Sequence, residues 1–377
     1  MVRLKRLLIF SVIFAFFINQ FAVSALSTSA KAAILINGDT LEVIYQENAD
    51  KRLPMASTTK IMTGLILAEY GNFDKEITVT SEMLRVEGSS MGLLTGDKVT
   101  LHDLLYGLML ASGNDAANVI AYVIGGTCDG FVKLMNQKAA ELGLDNTHFE
   151  TPSGLDGAEH YTTARDLAKL AAHAMKNEEF YKAVSSKSAT LSYGNPPYRR
   201  TLTNHNKLLK MFDGAVGVKT GFTKKSGRCL VSAAKKDGKF VIAVTLYDPN
   251  DWQDHMNLLN YGLDTVKLYE ITPETGRCNI PVIGAQQGEL SVEIKSQTFS
   301  TVKKEDIVCQ INLPRFVYAP IKKGEKIGEA IYKNQNGVIK TVDIKSAENI
   351  SVLKEKPSFL NEFTENFKYI LSNLWEK

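Results

Sequence analysis

The chain predicts an α+β domain in which an antiparallel sheet, flanked by helices, is interrupted by a long helical insertion; a small all-β domain and a terminal amphipathic helix follow. Three observations predict this order. Strand-like stretches stand near both ends of residues 26–268, with helical patterns between them. Beyond Ile271 the pattern changes to short alternating runs. From Pro357 to Lys377 it returns to helical spacing.

At the start, Arg3, Lys5 and Arg6 precede an almost unbroken apolar run from Leu7 to Ile18. A membrane span needs about 20 such residues, and Val23-Ser24-Ala25 fits a small-residue cleavage site, so residues 1–25 read as a secretory signal. An uncleaved anchor is the alternative, and either places the protein outside the cytoplasm. Ala32-Ala33-Ile34-Leu35-Ile36 and Leu41-Glu42-Val43-Ile44-Tyr45 read as a hairpin, with Asn37-Gly38 supplying the positive φ angles of a tight turn. Lys60 to Tyr70 consists mostly of good helix formers, apolar nearly all round, which predicts a buried helix stopping near Gly71. Ile77 to Thr100 is mixed and turn-rich.

Thr100-Leu101-His102-Asp103 resembles a capping box for a helix over Leu101 to Leu110, which halts at Ser112-Gly113-Asn114. Helices are predicted next over Asp115 to Ile124 and Cys128 to Leu142, and from Thr163-Ala164-Arg165-Asp166 to near Lys176. Strands return at Ala215 to Thr220, Arg228 to Ala234 and Lys239 to Tyr247, the last two joined at Asp237-Gly238. A helix from Trp252 to Val266 closes the domain. The following region, 269–353, is read as a β-rich domain from runs such as Leu290-Ser291-Val292-Glu293-Ile294 and from Ile331-Tyr332 and Val338-Ile339 flanking Asn336-Gly337. In residues 354–377, Phe359, Leu360, Phe363, Phe367, Ile370, Leu371, Leu374 and Trp375 recur at helical spacing. Such a helix either packs on its own domain or lies at a membrane surface, and the aromatic face of an exported chain favours the membrane.

Composition narrows the function. With 44% hydrophobic and 23% charged residues the 377-residue chain is ordinary globular material, enough for two domains after the leader. Lys+Arg 44 against Asp+Glu 41 leaves a net charge of +3, which is no field for recruiting nucleic acid. Cys128, Cys229, Cys278 and Cys309 lie far apart, and the histidines are scattered, so no metal-type spacing appears. Pairing of the cysteines is left open, although Cys229, inside an apolar run, reads as a buried free thiol.

Three short motifs carry the chemistry. Ser57-Thr58-Thr59-Lys60 opens the buried helix, and residues three apart share a helix face, so the amine of Lys60 can reach the hydroxyl of Ser57. A serine needs an adjacent base, and a buried lysine can act as one because desolvation lowers its pKa. Ser112-Gly113-Asn114 interrupts two helices, and Lys219-Thr220-Gly221 sits on a strand. In this order and on these elements the motifs resemble the penicillin-recognising serine enzymes. More closely, the chain resembles the serine-type D-Ala-D-Ala carboxypeptidases, the low-molecular-mass penicillin-binding proteins. Ser112-Gly113-Asn114-Asp115-Ala116, Gly154-Leu155-Asp156, Thr163-Ala164-Arg165-Asp166 and Gly217-Val218-Lys219-Thr220-Gly221 share the likeness, which spans essentially the whole mature chain.

The resemblance implies a β-lactamase/transpeptidase-like fold in the peptidase domain, Ser57 as nucleophile, Lys60 as general base and Ser112 as proton relay. It implies that Asn114 contacts the substrate amide, that Lys219 and Thr220 meet a terminal carboxylate, and that the backbone N–H groups of Ser57 and Phe222 form an oxyanion hole, with Gly221 permitting close approach. The implied substrate is a peptidoglycan stem peptide ending in D-Ala-D-Ala, β-lactams are implied as covalent ligands, and no cofactor is needed. Two positions depart from the family pattern: Phe222 stands where some members carry histidine, and His205, in Asn204-His205-Asn206, where some carry arginine. Two other readings keep the same fold. A β-lactamase would need a glutamate to activate the deacylating water, and Glu150 and Glu159 occupy no recognisable equivalent; a catalytically idle wall-binding protein has no reason to retain Ser57, Lys60 and Lys219 together.

Overall fold

The computed structural model describes residues 26–353 together with Phe363, Thr364, Phe367 and Lys368. The leader expected at 1–25, and all but those four residues of the helix expected at 354–377, lie outside the described residues. By its internal contacts the chain divides into two units. One runs up to Gly38 and over Val43–Thr265; the other comprises Asp39–Glu42 and the chain from Val266 onward.

The first unit opens with β1 (Ala32–Asn37) and β2 (Val43–Glu47). Every residue of β1 is buried, as befits a strand covered on both faces, whereas β2 is an edge. The turn between them departs from the tight Asn-Gly turn: the positive φ falls on Leu41, at 58°, and not on Gly38. Gly38 serves for space, because a β-carbon there would lie 2.3 Å from the Phe240 ring. A 3-10 turn, Ala56–Thr59, runs into α1 (Lys60–Tyr70), which is buried from Lys60 through Ala68 and stops at Gly71 with φ 68°. Short strands β3 (Glu76–Thr78) and β4 (Lys98–Thr100) lead to α2 (Leu101–Leu110). Its predicted capping box is present, with Thr100 Oγ1 accepting from the Asp103 N–H and Asp103 Oδ2 from the Thr100 N–H, each at 3.1 Å.

Next come α3 (Asn114–Gly125), α4 (Cys128–Glu141) and α5 (Ala164–Ala174), the last capped by Thr163 accepting from the Asp166 N–H. Then α6 (Glu178–Ser185), β5 (Ser188–Gly194), β6 (Pro197–Thr203) and α7 (Leu208–Met211) add elements beyond the sequence expectation. The hairpin of β5 and β6 joins β3 and β4 in a four-stranded sheet. Most of β6 is exposed, so no apolar alternation marks it in the sequence. Finally β7 (Ala215–Thr223), β8 (Gly227–Lys236), β9 (Lys239–Leu246) and α8 (Asp251–Thr265) complete the unit.

The main sheet is antiparallel in the order β2-β1-β9-β8-β7. Both α5 and α8 pack on β1 and β9, while α1 is the hub of the helical insertion, touching α2 through α6. The free edge of β7 meets the 3-10 turn Ala56–Thr59, which brings the Lys-Thr-Gly strand to the start of α1. Cys229 is buried in β8 as a free thiol, pushed up to about 11 by burial, and Cys128, Cys278 and Cys309 are free as well.

The second unit is small and built of strands. Lys267–Ile271 pairs with Gln297–Thr301; Arg277–Ile283 lies between Glu289–Glu293 and Val317–Tyr318; Lys326–Asn334 lies between Val308–Asn312 and Gly337–Lys345. Its core gathers Ile280, Val292, Phe299, Tyr332 and Ile344. In the last hairpin Asn334 pairs with Gly337, so the turn is Gln335-Asn336, one residue earlier than the Asn336-Gly337 signal. Phe363 and Phe367, a turn apart on helical backbone, are exposed and stacked, ring centroids 5.9 Å apart. No helix among the described residues is long and apolar enough to cross a membrane.

Candidate active site

The 3-10 turn places Ser57 just ahead of α1, and Lys60 is the first residue of the helix. Lys60 Nζ lies 3.0 Å from Ser57 Oγ, 2.7 Å from Asn114 Oδ1 and 2.6 Å from the Ser153 carbonyl oxygen. The lysine is wholly buried. Burial holds its amine well below the usual lysine range and the nearby Lys219 adds to this, with Asp115 working against both. Ala56, immediately before Ser57, has φ 48°, and Ser112 has φ 56°. Such left-handed backbone costs on the order of 1–3 kcal/mol per residue in a non-glycine, so the surrounding packing must hold both serines in place.

That packing is visible. Thr58 Oγ1 donates to the Met55 carbonyl at 2.6 Å. A β-carbon on Gly154 would lie 1.9 Å from the Ala56 carbonyl oxygen, so the 151–156 loop is pressed against the 3-10 turn. His160 ties the same segment down: its Nδ1 accepts from the Glu150 N–H at 2.9 Å, which leaves Nε2 to donate to Thr59 Oγ1 at 2.8 Å. On the other wall, Asp115 accepts from the N–H groups of Met91, Gly92 and Leu93 at 3.0–3.1 Å and so fastens the 89–93 loop over Ser112-Gly113-Asn114. The Asn114 N–H donates to the Ser89 carbonyl at 2.7 Å.

Ser57, Ser112, Thr220, Gly221 and Phe222 line one cavity of about 350 Å³. The close approach expected at Gly221 is present: a β-carbon there would lie 3.0 Å from the Ser57 backbone nitrogen and 3.1 Å from that of Thr58. Lys60 stands behind Ser57. Asn114 and Lys219 are buried beneath the wall and do not border the cavity. Asn114 Oδ1 accepts from Lys60 and Nδ2 donates to the Glu87 carbonyl at 2.6 Å, which leaves the amide a second N–H and a second lone pair. Lys219 Nζ donates to the Thr220 carbonyl at 2.9 Å, and burial pulls its amine down to about 7.

His205 borders the cavity, but burial, and then Lys219, push its imidazole down, which works against a positive charge at that position near neutrality. Neither Glu150 nor Glu159 reaches the cavity; Glu150 Oε2 accepts from the Glu159 N–H at 3.0 Å. Sequence reasoning missed the Ser153 carbonyl, Ser89, Lys207, Arg228, Asp251 and Trp252, all of which touch Lys60 or the cavity. The adjacent Gly154-Leu155-Asp156 and Asp115 were the available signals for the first two; the other four carried none.

A serine hydroxyl against a buried lysine, at the edge of a strand bearing Lys-Thr-Gly, defines a serine hydrolase of the penicillin-recognising class. A family model described as D-alanyl-D-alanine carboxypeptidase matches residues 19–250, and one described as penicillin-binding protein 5, C-terminal domain, matches residues 278–352. The chain belongs to the D-alanyl-D-alanine carboxypeptidase family and is a low-molecular-mass, serine-type carboxypeptidase. It is 32% identical to the D-alanyl-D-alanine carboxypeptidase DacF of Bacillus subtilis, over 87% of each chain. With DacC of Escherichia coli it shares 31% identity over 83% of this chain and 82% of that protein. Among solved structures, penicillin binding protein 5 from Haemophilus influenzae superposes with a TM-score of 0.63 at 25% identity, covering 88% of this chain and all of the other. The carboxypeptidase DacD from Francisella tularensis gives 0.62 at 28% identity, covering 88% and 95%.

Proposed function

We propose that Ser57 is the nucleophile with which this carboxypeptidase removes the terminal D-alanine of peptidoglycan stem peptides, and that Lys60 is its general base. The observation that carries the reading is the 3.0 Å contact of Ser57 with a wholly buried lysine whose other two partners are carbonyl oxygens. A neutral amine has two N–H groups and one lone pair. Asn114 Oδ1 and the Ser153 carbonyl take the two N–H groups, which leaves the lone pair for the Ser57 hydroxyl. Ser57 Oγ attacks the carbonyl carbon of the penultimate D-alanine as Lys60 takes its proton. The N–H groups of Ser57 and Phe222 receive the oxyanion. Ser112 relays the proton to the leaving nitrogen, the C–N bond breaks, and D-alanine departs; water then hydrolyses the Ser57 ester. Thr220 donates to the terminal carboxylate, Lys219 backs it with charge when protonated, and Gly221 keeps the strand close. Asn114 holds Lys60 and lies next to the bound amide. β-Lactams, which imitate the substrate, acylate the same hydroxyl.

We also propose that residues 1–25 direct export, that the peptidase domain spans 26–268 and the β domain 269–353, and that the helix at 354–377 holds the enzyme on the outer face of the cytoplasmic membrane. The apolar run from Leu7 to Ile18 and the aromatic spacing of the terminal segment support this. Mass spectrometry of a penicillin adduct should map to Ser57, and D-alanine release from a peptide ending in D-Ala-D-Ala should vanish in Ser57→Ala. Equal inertness of wild type and variant would refute the enzyme site. Deleting residues 357–377 should shift the protein from membrane to soluble fraction; unchanged partition would refute the anchor.

A further inference from the structure

The cavity beside Ser57 holds a cation that the motifs do not include. Arg228, at the start of β8, borders it together with Thr220 and Phe222. In the register of β7 with β8, Arg228 stands opposite Phe222 and Leu230 opposite Thr220. Opposed residues of an antiparallel pair share a face, so the side chains of Arg228, Thr220 and Phe222 stand on one side of the sheet. Lys219, opposite Val231, stands on the other side, close enough to Lys60 to depress its basicity. Of the β7 and β8 residues that line the cavity, the cation on the Thr220 face is therefore Arg228.

Its guanidinium is held in place. Arg228 Nη2 lies 2.9 Å from Asp251 Oδ1, and the guanidinium carbon lies 5.6 Å from the centroid of the Trp252 ring. Asp251, the first residue of α8, is only 3% exposed, and its Oδ1 also accepts from the Trp252 N–H at 2.9 Å. The arginine side chain is 42% exposed, so its fork of five donors is only partly used by Asp251. Lys207 also lines the cavity, so Asp251 does not cancel its positive charge.

We infer that Arg228, positioned by Asp251 and Trp252, binds the free carboxylate at the end of the substrate and so restricts the enzyme to chain ends. The inference rests on the proposed reading of Ser57. An arginine stays charged across the working pH and matches a carboxylate with two parallel hydrogen bonds; Lys219, pulled down to about 7, is part neutral there and faces away.

The test compares an N-acylated peptide ending in D-Ala-D-Ala with the same peptide ending in D-alaninamide, using the full chain. Arg228→Gln should lower kcat/KM on the free acid about 100-fold, mainly through KM, while leaving the amide within about threefold. Arg228→Lys should recover part of the loss. Because Arg228→Gln leaves Asp251 buried without its partner, the double variant Arg228→Gln with Asp251→Asn is measured beside it and should show the same loss of discrimination. An equal fall on both peptides, or no change on either, would overturn the assignment. If the wild type releases no D-alanine and takes no penicillin label at Ser57, the reading of the site itself falls, and Arg228 with it.

Discussion

The side-chain oxygen of Asn114 lies 2.7 Å from the amine of Lys60, so the residue that ends the Ser-Gly-Asn motif sets the chemistry of the first motif as well as the shape of the wall. A neutral amide can accept an N–H from a neutral amine without adding charge. Replacing it by the isosteric Asn114→Asp puts a carboxylate in contact with Lys60, which favours the ammonium form and removes the lone pair. The rate of penicillin acylation should then fall at neutral pH and recover only as pH rises, with the acid limb of the profile displaced upward relative to wild type. An unmoved limb would show that Lys60 is not the base.

Gly221 faces backbone rather than flexible side chains. In Gly221→Val the β-carbon meets the Ser57 and Thr58 nitrogens and the Met55 carbonyl at 3.0–3.1 Å, so β7 has to move away from the 3-10 turn. A shift on the order of 1 Å costs about 100-fold in rate, and acylation by a fluorescent penicillin should fall by roughly that factor. Overpacking costs about 1–3 kcal/mol, which a urea titration would register.

Asp115 fastens the 89–93 loop through three backbone N–H groups and the Ser90 hydroxyl. Asp115→Ala leaves those donors without their acceptor, and a buried donor left unpaired costs about 1–3 kcal/mol. The loop is the expected first site of proteolytic cutting in the variant, and acylation should fall with it, because Ser89 borders the cavity.

His160 gives a signed pH dependence. Burial, opposed by Glu150, pulls its imidazole from 6.5 down to about 4 in the folded chain. Between those values the unfolded chain binds the extra proton and the folded chain does not, so stability is fully present above pH 6.5 and is lost as pH falls towards 4. The loss amounts to about 3 kcal/mol, and little more is lost to this group below pH 4. His255, buried between Ser232 and Thr245 and held down to about 3, adds a loss of the same sign. Urea midpoints at pH 7 and pH 4 should converge more closely in His160→Gln than in wild type.

Much of the fold and half of the site were legible in the residues themselves. The capping residues Thr100 and Thr163, the buried run from Lys60 to Ala68 and the alternating β strands of the second unit are local signals, and they lie where spacing put them. The hairpin Ser188–Thr203 was not legible, since its exposed second strand carries no alternation. The turn at Gly38 misled because a glycine demanded by a neighbouring Phe240 ring looks the same in sequence as one demanded by φ.

By itself the sequence determined that a hydroxyl and an amine share one turn, that Ser-Gly-Asn breaks two helices and that Lys-Thr-Gly lies on a strand; periodicity and spacing act over a few residues, so they can be read along the chain. Only the tertiary structure decided which acceptors surround Lys60, since Ser153 is separated from it by 93 positions and contributes a backbone carbonyl, which no residue type encodes. Only the register of β7 with β8 decided that Arg228 shares the face of Thr220. Burial and charge depend on what the fold brings together at distance, and it is burial that pulls Lys60 out of its ordinary range.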